Sequence, residues 1–214
     1  IQFLNIGGGI GIPYLPGDDS IDICKLIDTI HTRLTMNLEK YCLPRPDLMM
    51  ENGRYITGPY GWLVAICQAI KNTYQVYFGL DACMSNLMRP GMYNSYHHID
   101  VLTKEKETDD SKITANVTAN VTANVVGTLC ENNDWFAKQR VLPMAEVGDI
   151  FVIYDTGAHS HSMGFQYNGK LRAGEVVLFT DKSGKRTHKL IRRKETLDDY
   201  LATVVKFDES KIHL

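Results

Sequence analysis

Five short segments hold the residues whose types could do chemistry: Gly7-Gly8-Gly9, Glu51-Asn52-Gly53-Arg54, Arg89-Pro90-Gly91-Met92-Tyr93, Cys130-Glu131-Asn132-Asn133-Asp134, and the run from Asp155 to Met163. A triple glycine lets consecutive N–H groups converge on one anion, because no Cβ obstructs the approach and positive φ is tolerated. That suits a phosphate. Glu51 could pair with a protonated ring nitrogen and Arg54 with a phosphate or carboxylate, although an ordinary strand-end ion pair explains both equally well. Arg89, held beside a proline with Tyr93 close by, suits two-point recognition of a substrate carboxylate. Cys130 and Glu131 put a proton donor and an ammonium-binding group in one turn, a pairing that says little alone. The last segment sets His159 and His161 among small residues, in a loop able to approach a ligand or simply to make a tight β connection. The neighbouring His97 and His98 would face opposite ways on a strand, so they read as structural or hydrogen-bonding groups. No metal site is expected.

These residues need elements to position them. Ile1 to Ile6 reads as a buried strand running into the glycines, and Ile23, Leu26, Ile27, Ile30, Leu34, Leu38 and Tyr41 recur at helical spacing. Asp19 or Ser20 can cap that helix, Cys42-Leu43-Pro44-Arg45-Pro46 stops it, and a strand follows at about Asp47 to Glu51. Strand, helix, strand of this length is a βαβ unit with parallel strands. Ligands gather beyond the carboxyl ends of such strands, where the glycines and Glu51 lie. One helix cannot cover both faces of a parallel pair. The expectation is therefore that the chain begins within a fold, as the C-terminal half of something larger.

Beyond about Arg54 to Gly58 the character changes. Gly61 to Phe78 reads as a hairpin broken at Lys71-Asn72-Thr73, Ile150 to Tyr154 as a strand, and Glu175 to Thr180 with Thr187 to Arg192 as a hairpin across Lys182–Lys185. A final helix starts near Thr196, with Asp199 at capping-box spacing. Lys104 to Lys112 reads as a charged loop. Thr-Ala-Asn-Val occurs three times in tandem from Thr114 to Val125, and its sequons at Asn116 and Asn120 read as a slipped duplication without glycans.

A net charge of −2 with no Arg/Lys stripe argues against a nucleic-acid partner, and no apolar run approaches the length of a membrane span. Five scattered cysteines without a CxxC pair indicate neither zinc site nor disulfide framework, which points to reduced thiols in a cytoplasmic protein.

In order, the GGG loop, E-x-G-R (51–54), R-P-x-x-Y-x-x-Y-H-H (89–98), C-E-x-x-D (130–134) and G-A-x-x-x-S-M-x-x-x-Y-N (157–168) resemble the fold-type III pyridoxal-phosphate decarboxylases. The branch acting on diaminopimelate is most similar, and the resemblance runs from Ile1 to about Asp208. It implies an α/β plus all-β architecture: the last part of a cofactor-binding (β/α)8 barrel over residues 1–55, then a mostly antiparallel β domain over 56–214. The final helix, about 196–205, would pack back on the barrel. The implied activity is conversion of meso-2,6-diaminopimelate to L-lysine and CO2 with pyridoxal 5'-phosphate. Gly7, Gly8, Gly9, Glu51, Gly53, Arg54 and His159 are implied at the cofactor, with Glu51 facing the pyridine nitrogen. Arg54, Arg89, Tyr93 and Glu131 are implied at the substrate, and Cys130 as the group that reprotonates the α-carbon. The C-E loop would enter the partner subunit's site, which implies a homodimer with shared active sites.

Three departures from the family pattern stand out. His159 replaces a Tyr that touches cofactor and substrate, and could bond the phosphate instead. Asn52 replaces a Pro, and Gly91 with Asn94-Ser95 changes the R-P segment. The lysine that carries the cofactor, on an early barrel strand in the family, has no counterpart here, so this chain alone is expected to be inactive. Two other readings follow: a decarboxylase of another basic amino acid or polyamine, and a non-catalytic partner of a complete relative.

Overall fold

The computed structural model describes residues 1–103 and 119–205. It divides into two compact units, Ile1–Met163 and Gly164–Leu214. The expected charged loop and Asn116 lie outside the described residues, as does the first part of the tandem repeat.

The first unit opens with β1 (Phe3–Gly8), α1 (Ile23–Lys40) and β2 (Asp47–Glu51). The strands pair in parallel, Phe3 opposite Asp47 and Leu4 opposite Leu48, as the βαβ spacing requires. The register slips between Asn5 and Gly8. Neither Asp19 nor Ser20 caps α1. Asp22 does, its carboxylate accepting from the Lys25 N–H at 3.0 Å, because the helix starts later than its polar leader suggests. The first strand is shifted toward the glycines and is not buried. Phe3, Leu4, Ile6, Leu48 and Met49 are exposed, and α1 has no buried residue. Two strands and one helix offer too few neighbours to cover those faces.

A short helix, α2 (Gly53–Thr57), leads through a tight turn at Gly58–Tyr60 into β3 (Leu63–Asn72). Then come β4 (Val76–Leu80), α3 (Arg89–Tyr93), β5 (Ile99–Leu102), β6 (Asn120–Val126), β7 (Trp135–Pro143) and β8 (Ile150–Ile153). The six strands form one sheet in the order β5-β8-β3-β4-β6-β7. It is mixed: β4 and β6 are parallel and the other pairs antiparallel. A long connection separates β4 from β6, and that length permits a parallel crossover in an otherwise antiparallel sheet. The hairpin of β3 and β4 turns at Thr73–Gln75, slightly later than its sequence suggests.

Period-two alternation sets the inside. On β3, Ala65 and Cys67 point inward while Val64 and Ile66 are exposed. Phe78, Leu80, Leu87, Val125, Phe136, Phe151 and Ile153 complete the core, with the Phe78 and Phe151 rings 5.6 Å apart. The sheet curls until its end strands meet: Arg140 on β7 donates to the main-chain carbonyl of His97, just ahead of β5. The site is built on this seam.

The second unit holds the hairpin β9 (Glu175–Thr180) and β10 (Arg186–Arg192), then α4 (Leu197–Tyr200). Thr196 and Asp199 make the expected capping box. The helix is a single turn and does not run on to residue 205.

Candidate active site

The register slip in β1 shapes the glycine loop. Gly7 and Gly9 have φ of +74° and +81°, which glycine adopts without strain. Between them Gly8 lies so close to β2 that a Cβ would sit 1.9 Å from the Glu51 carbonyl oxygen. The Asn5 side chain fills the bulge: its carboxamide oxygen accepts from Gly7 N–H at 2.8 Å, and its amide donates to Glu51 Oε1 at 2.6 Å. The glycine run and the Glu51 carboxylate are thus fixed to each other at the strand ends. Asn5 carried no signal of its own in the sequence.

From Gly9 the chain dips through the buried Ile10 and sends Ile12 toward Gly58, where a Cβ would meet its Cδ1 at 2.9 Å. Tyr14 follows, and its hydroxyl accepts from Arg89 Nη1 at 2.6 Å. The α2 segment is joined to the loop after β8 by backbone contacts that only glycines permit. Gly157 N–H donates to the Gly58 carbonyl at 3.0 Å and Thr156 N–H to the Gly61 carbonyl at 2.9 Å. A Cβ on Gly157 would lie 1.9 Å from the Thr57 carbonyl oxygen. This junction carries Arg54, on α2, toward His159. The His159 imidazole is pushed down from its ordinary range by burial and then by the Arg89 and Arg54 guanidinium groups. Its backbone is in the left-handed region, φ +63°.

Arg89, at the start of α3, is buried apart from 8% of its surface. Besides Tyr14, its Nη1 reaches His97 Nε2 at 3.1 Å. An arginine there can only donate, so Nε2 is the acceptor and the imidazole proton sits on Nδ1, which donates to the Tyr154 carbonyl at 2.8 Å. His97 is fully buried, and burial drives its pKa down to about 4, with the Arg89, Arg140 and Arg54 charges acting in the same direction. It is a neutral hydrogen-bonding group, as its place in an adjacent pair implies. His98 instead faces Asp100 at 3.0 Å. Tyr14 and Arg140 were not legible as site residues; their contacts are long-range.

The Cys130–Asp134 turn is anchored by its aspartate. Asp134 Oδ1 accepts from Met84 N–H and Oδ2 from Leu129 N–H, both at 2.6 Å. The Glu131 carboxylate accepts from Asn133 N–H at 3.2 Å. A Cβ on Gly91 would fall 2.1 Å from the Asn133 carbonyl oxygen, so α3 rests directly on this turn. Cys130 is exposed and makes no hydrogen bond among the described residues. Tyr93, one turn along α3 from Arg89, is 61% exposed.

Two surface hollows, of about 590 and 400 Å³, are lined by α1 residues and by β3–β4 residues respectively, with none of these groups. No trio of His, Cys, Asp or Glu side chains suited to a metal occurs among the described residues. The cationic cluster does suit an anion. Arg54 Nε is buried with no acceptor among the described residues, a donor whose desolvation is left uncompensated. Gly53 lies beside it at the head of α2. With the cleared backbone of Gly7–Gly9 and the held Glu51 carboxylate, these residues fit a phosphorylated, protonatable heteroaromatic group.

Residues 24–157 match the C-terminal sheet domain of the pyridoxal-dependent decarboxylases, and the chain belongs to that family. It is 40% identical to Protein TabA of Pseudomonas amygdali pv. tabaci, over 95% of this chain and 44% of that one. The diaminopimelate decarboxylase of Methanothermobacter thermautotrophicus is 36% identical over 94% of this chain and 43% of its own length. The diaminopimelate decarboxylase of M. jannaschii, solved with L-lysine, superposes with a TM-score of 0.77 at 33% identity, over 96% of this chain and 43% of that one. The chain spans under half the length of these relatives.

Proposed function

We propose that this chain is the substrate-binding part of a pyridoxal-phosphate carboxy-lyase that converts meso-2,6-diaminopimelate to L-lysine and CO2. The observation that carries the reading is the convergence of Arg54, with its orphaned Nε, on His159 beside Arg89, next to a glycine loop tied to Glu51. In the complete protein, residues 1–55 complete a (β/α)8 barrel and residues 56–214 form the β domain. The uncovered faces of β1, β2 and α1 support that division.

Bound pyridoxal phosphate supplies an electron-withdrawing ring that accommodates the electron pair left as CO2 departs. This chain's residues do the rest. Gly7–Gly9 and Gly53 would offer N–H groups to the phosphate, together with His159. Glu51, steadied by Asn5, keeps the ring nitrogen protonated and so sustains its electron demand. Arg54 and Arg89 take the substrate's distal carboxylate, with Tyr93 beside them. The Cys130 thiol gives its proton to the α-carbon, and Glu131 receives the distal ammonium. The exposed thiol of Cys130 supports a homodimer in which this turn serves the partner subunit's site. A small amino-acid substrate and reduced cysteines fit a cytoplasmic setting.

The test uses the full-length protein with its cofactor-bearing half. Cys130→Ala should lower turnover of meso-diaminopimelate by at least about a hundredfold, the scale of a lost general acid, while the cofactor's absorbance is retained. Unchanged turnover, or faster turnover of lysine or ornithine by the parent enzyme, would refute the assignment.

A further inference from the structure

We infer that His97 is a positioning residue that fixes the orientation of the Arg89 guanidinium and thereby sets the enzyme's selectivity for a ligand carrying a distal carboxylate. The inference rests on the reading of Arg89 just given and deepens it. A guanidinium recognises a carboxylate through a planar fork, so its usefulness depends on how its plane is held. Here Nη1 is held twice, by the Tyr14 hydroxyl at 2.6 Å and by His97 Nε2 at 3.1 Å. The Tyr14 ring also stacks edge-on against the His97 imidazole, with centroids 5.3 Å apart.

His97 is itself locked from behind. Its Nδ1 proton goes to the Tyr154 carbonyl at 2.8 Å, which fixes the tautomer and leaves Nε2 as an acceptor. Arg140 holds the His97 main-chain carbonyl from β7. His97 therefore ties two parts of the curled sheet to one guanidinium, the end of β8 through its imidazole and β7 through its main-chain carbonyl. A second proton on the ring would remove the acceptor and add a positive charge beside Arg89, and burial works against that proton. Spending Nη1 on these two neighbours leaves the other guanidinium donors for the ligand.

The two hydrogen-bonding functions of His97 can be separated by substitution in the full-length holoenzyme. Asparagine can keep donation to Tyr154 but is too short to reach Arg89. Glutamine can place an acceptor near the Nε2 position. The probes are L-lysine, which keeps the distal carboxylate after decarboxylation, and 1,5-diaminopentane, which has none; both are measured as competitive inhibitors. His97→Asn should weaken L-lysine by about tenfold to a hundredfold, the scale of a hydrogen bond to a charged group, and move 1,5-diaminopentane by less than about twofold. His97→Gln should recover most of the lost discrimination. Equal weakening of both probes, or of neither, overturns the inference, as does glutamine no better than asparagine. Arg89→Ala distinguishes the failures. Loss of L-lysine selectivity there, with none in His97→Asn, refutes only the positioning role. Retained selectivity in Arg89→Ala refutes the reading of Arg89, and this inference with it.

Discussion

Mild acid should destabilise the first unit through one imidazole. In the folded chain His97 resists a proton down to about pH 4, whereas in the unfolded chain it titrates near 6.5. Between those values the unfolded state binds more protons, so stability falls as pH falls. Above about pH 6.5 His97 is neutral in both states and contributes no pH dependence; below about pH 4 it is charged in both and the loss levels off. The full displacement corresponds to about 3 kcal/mol, and about 2 kcal/mol of it is spent by pH ~5. Paired carboxylates lose stability in acid too, so the informative quantity is a difference. Denaturant unfolding of the parent and of His97→Gln should be compared across this window. Trp62 and Trp135, the two tryptophans, both lie in this unit, so their fluorescence reports on it. The parent should lose about 2 kcal/mol more than the variant between about pH 7 and pH 5. Parallel pH profiles would refute the argument, for they would mean that His97 takes up its proton without unfolding.

Two further perturbations test the geometry. Gly91→Ala puts a Cβ 2.1 Å from the Asn133 carbonyl oxygen, so α3 and the Cys130 turn must part; we expect about 1–3 kcal/mol of destabilisation by denaturant unfolding and a lower kcat, and an unaltered enzyme would disprove the contact. Arg54→Leu removes a buried donor that has no acceptor among the described residues, so stability without ligand should hold or rise. Binding of pyridoxal phosphate or L-lysine should fall about tenfold or more by titration, and a less stable apoprotein with normal affinity would reverse the interpretation.

Local chemistry made much of this legible. The βαβ unit, the β3–β4 and β9–β10 hairpins and the Thr196 capping box follow from periodicity and turn residues, signals that lie within a few positions of each other. The glycine loop, Glu51, Arg54, Arg89 and Cys130 stood out by residue type. What escaped the sequence is long-range. Tyr14 lies far from Arg89 along the chain, and nothing near it marks a partner for a guanidinium. Arg140 carries no signal of its own until the sheet curls and brings β7 to His97. Asn5 looks like a polar interruption of a strand, because only the register slip gives its amide two partners. The parallel pairing of β4 with β6 was hidden for the same reason: the connection between them is long enough for either sense.

The glycines that abut distant backbone also limit how the protein can be re-engineered. Gly91 meets Asn133, and Gly157 meets Thr57 and Gly61, each at distances that leave no room for a Cβ. A loop on one side of such a contact cannot be exchanged for a homologue's loop without its counterpart, since the incoming main chain would collide with a surface shaped for another path. Library design for altered substrate range should therefore treat the Arg89 helix and the Cys130 turn as one cassette, and the Arg54 and His159 segments as another. Crossovers placed between the members of either pair should lower the yield of folded chimaeras, because two main-chain paths that were not shaped for each other would meet there.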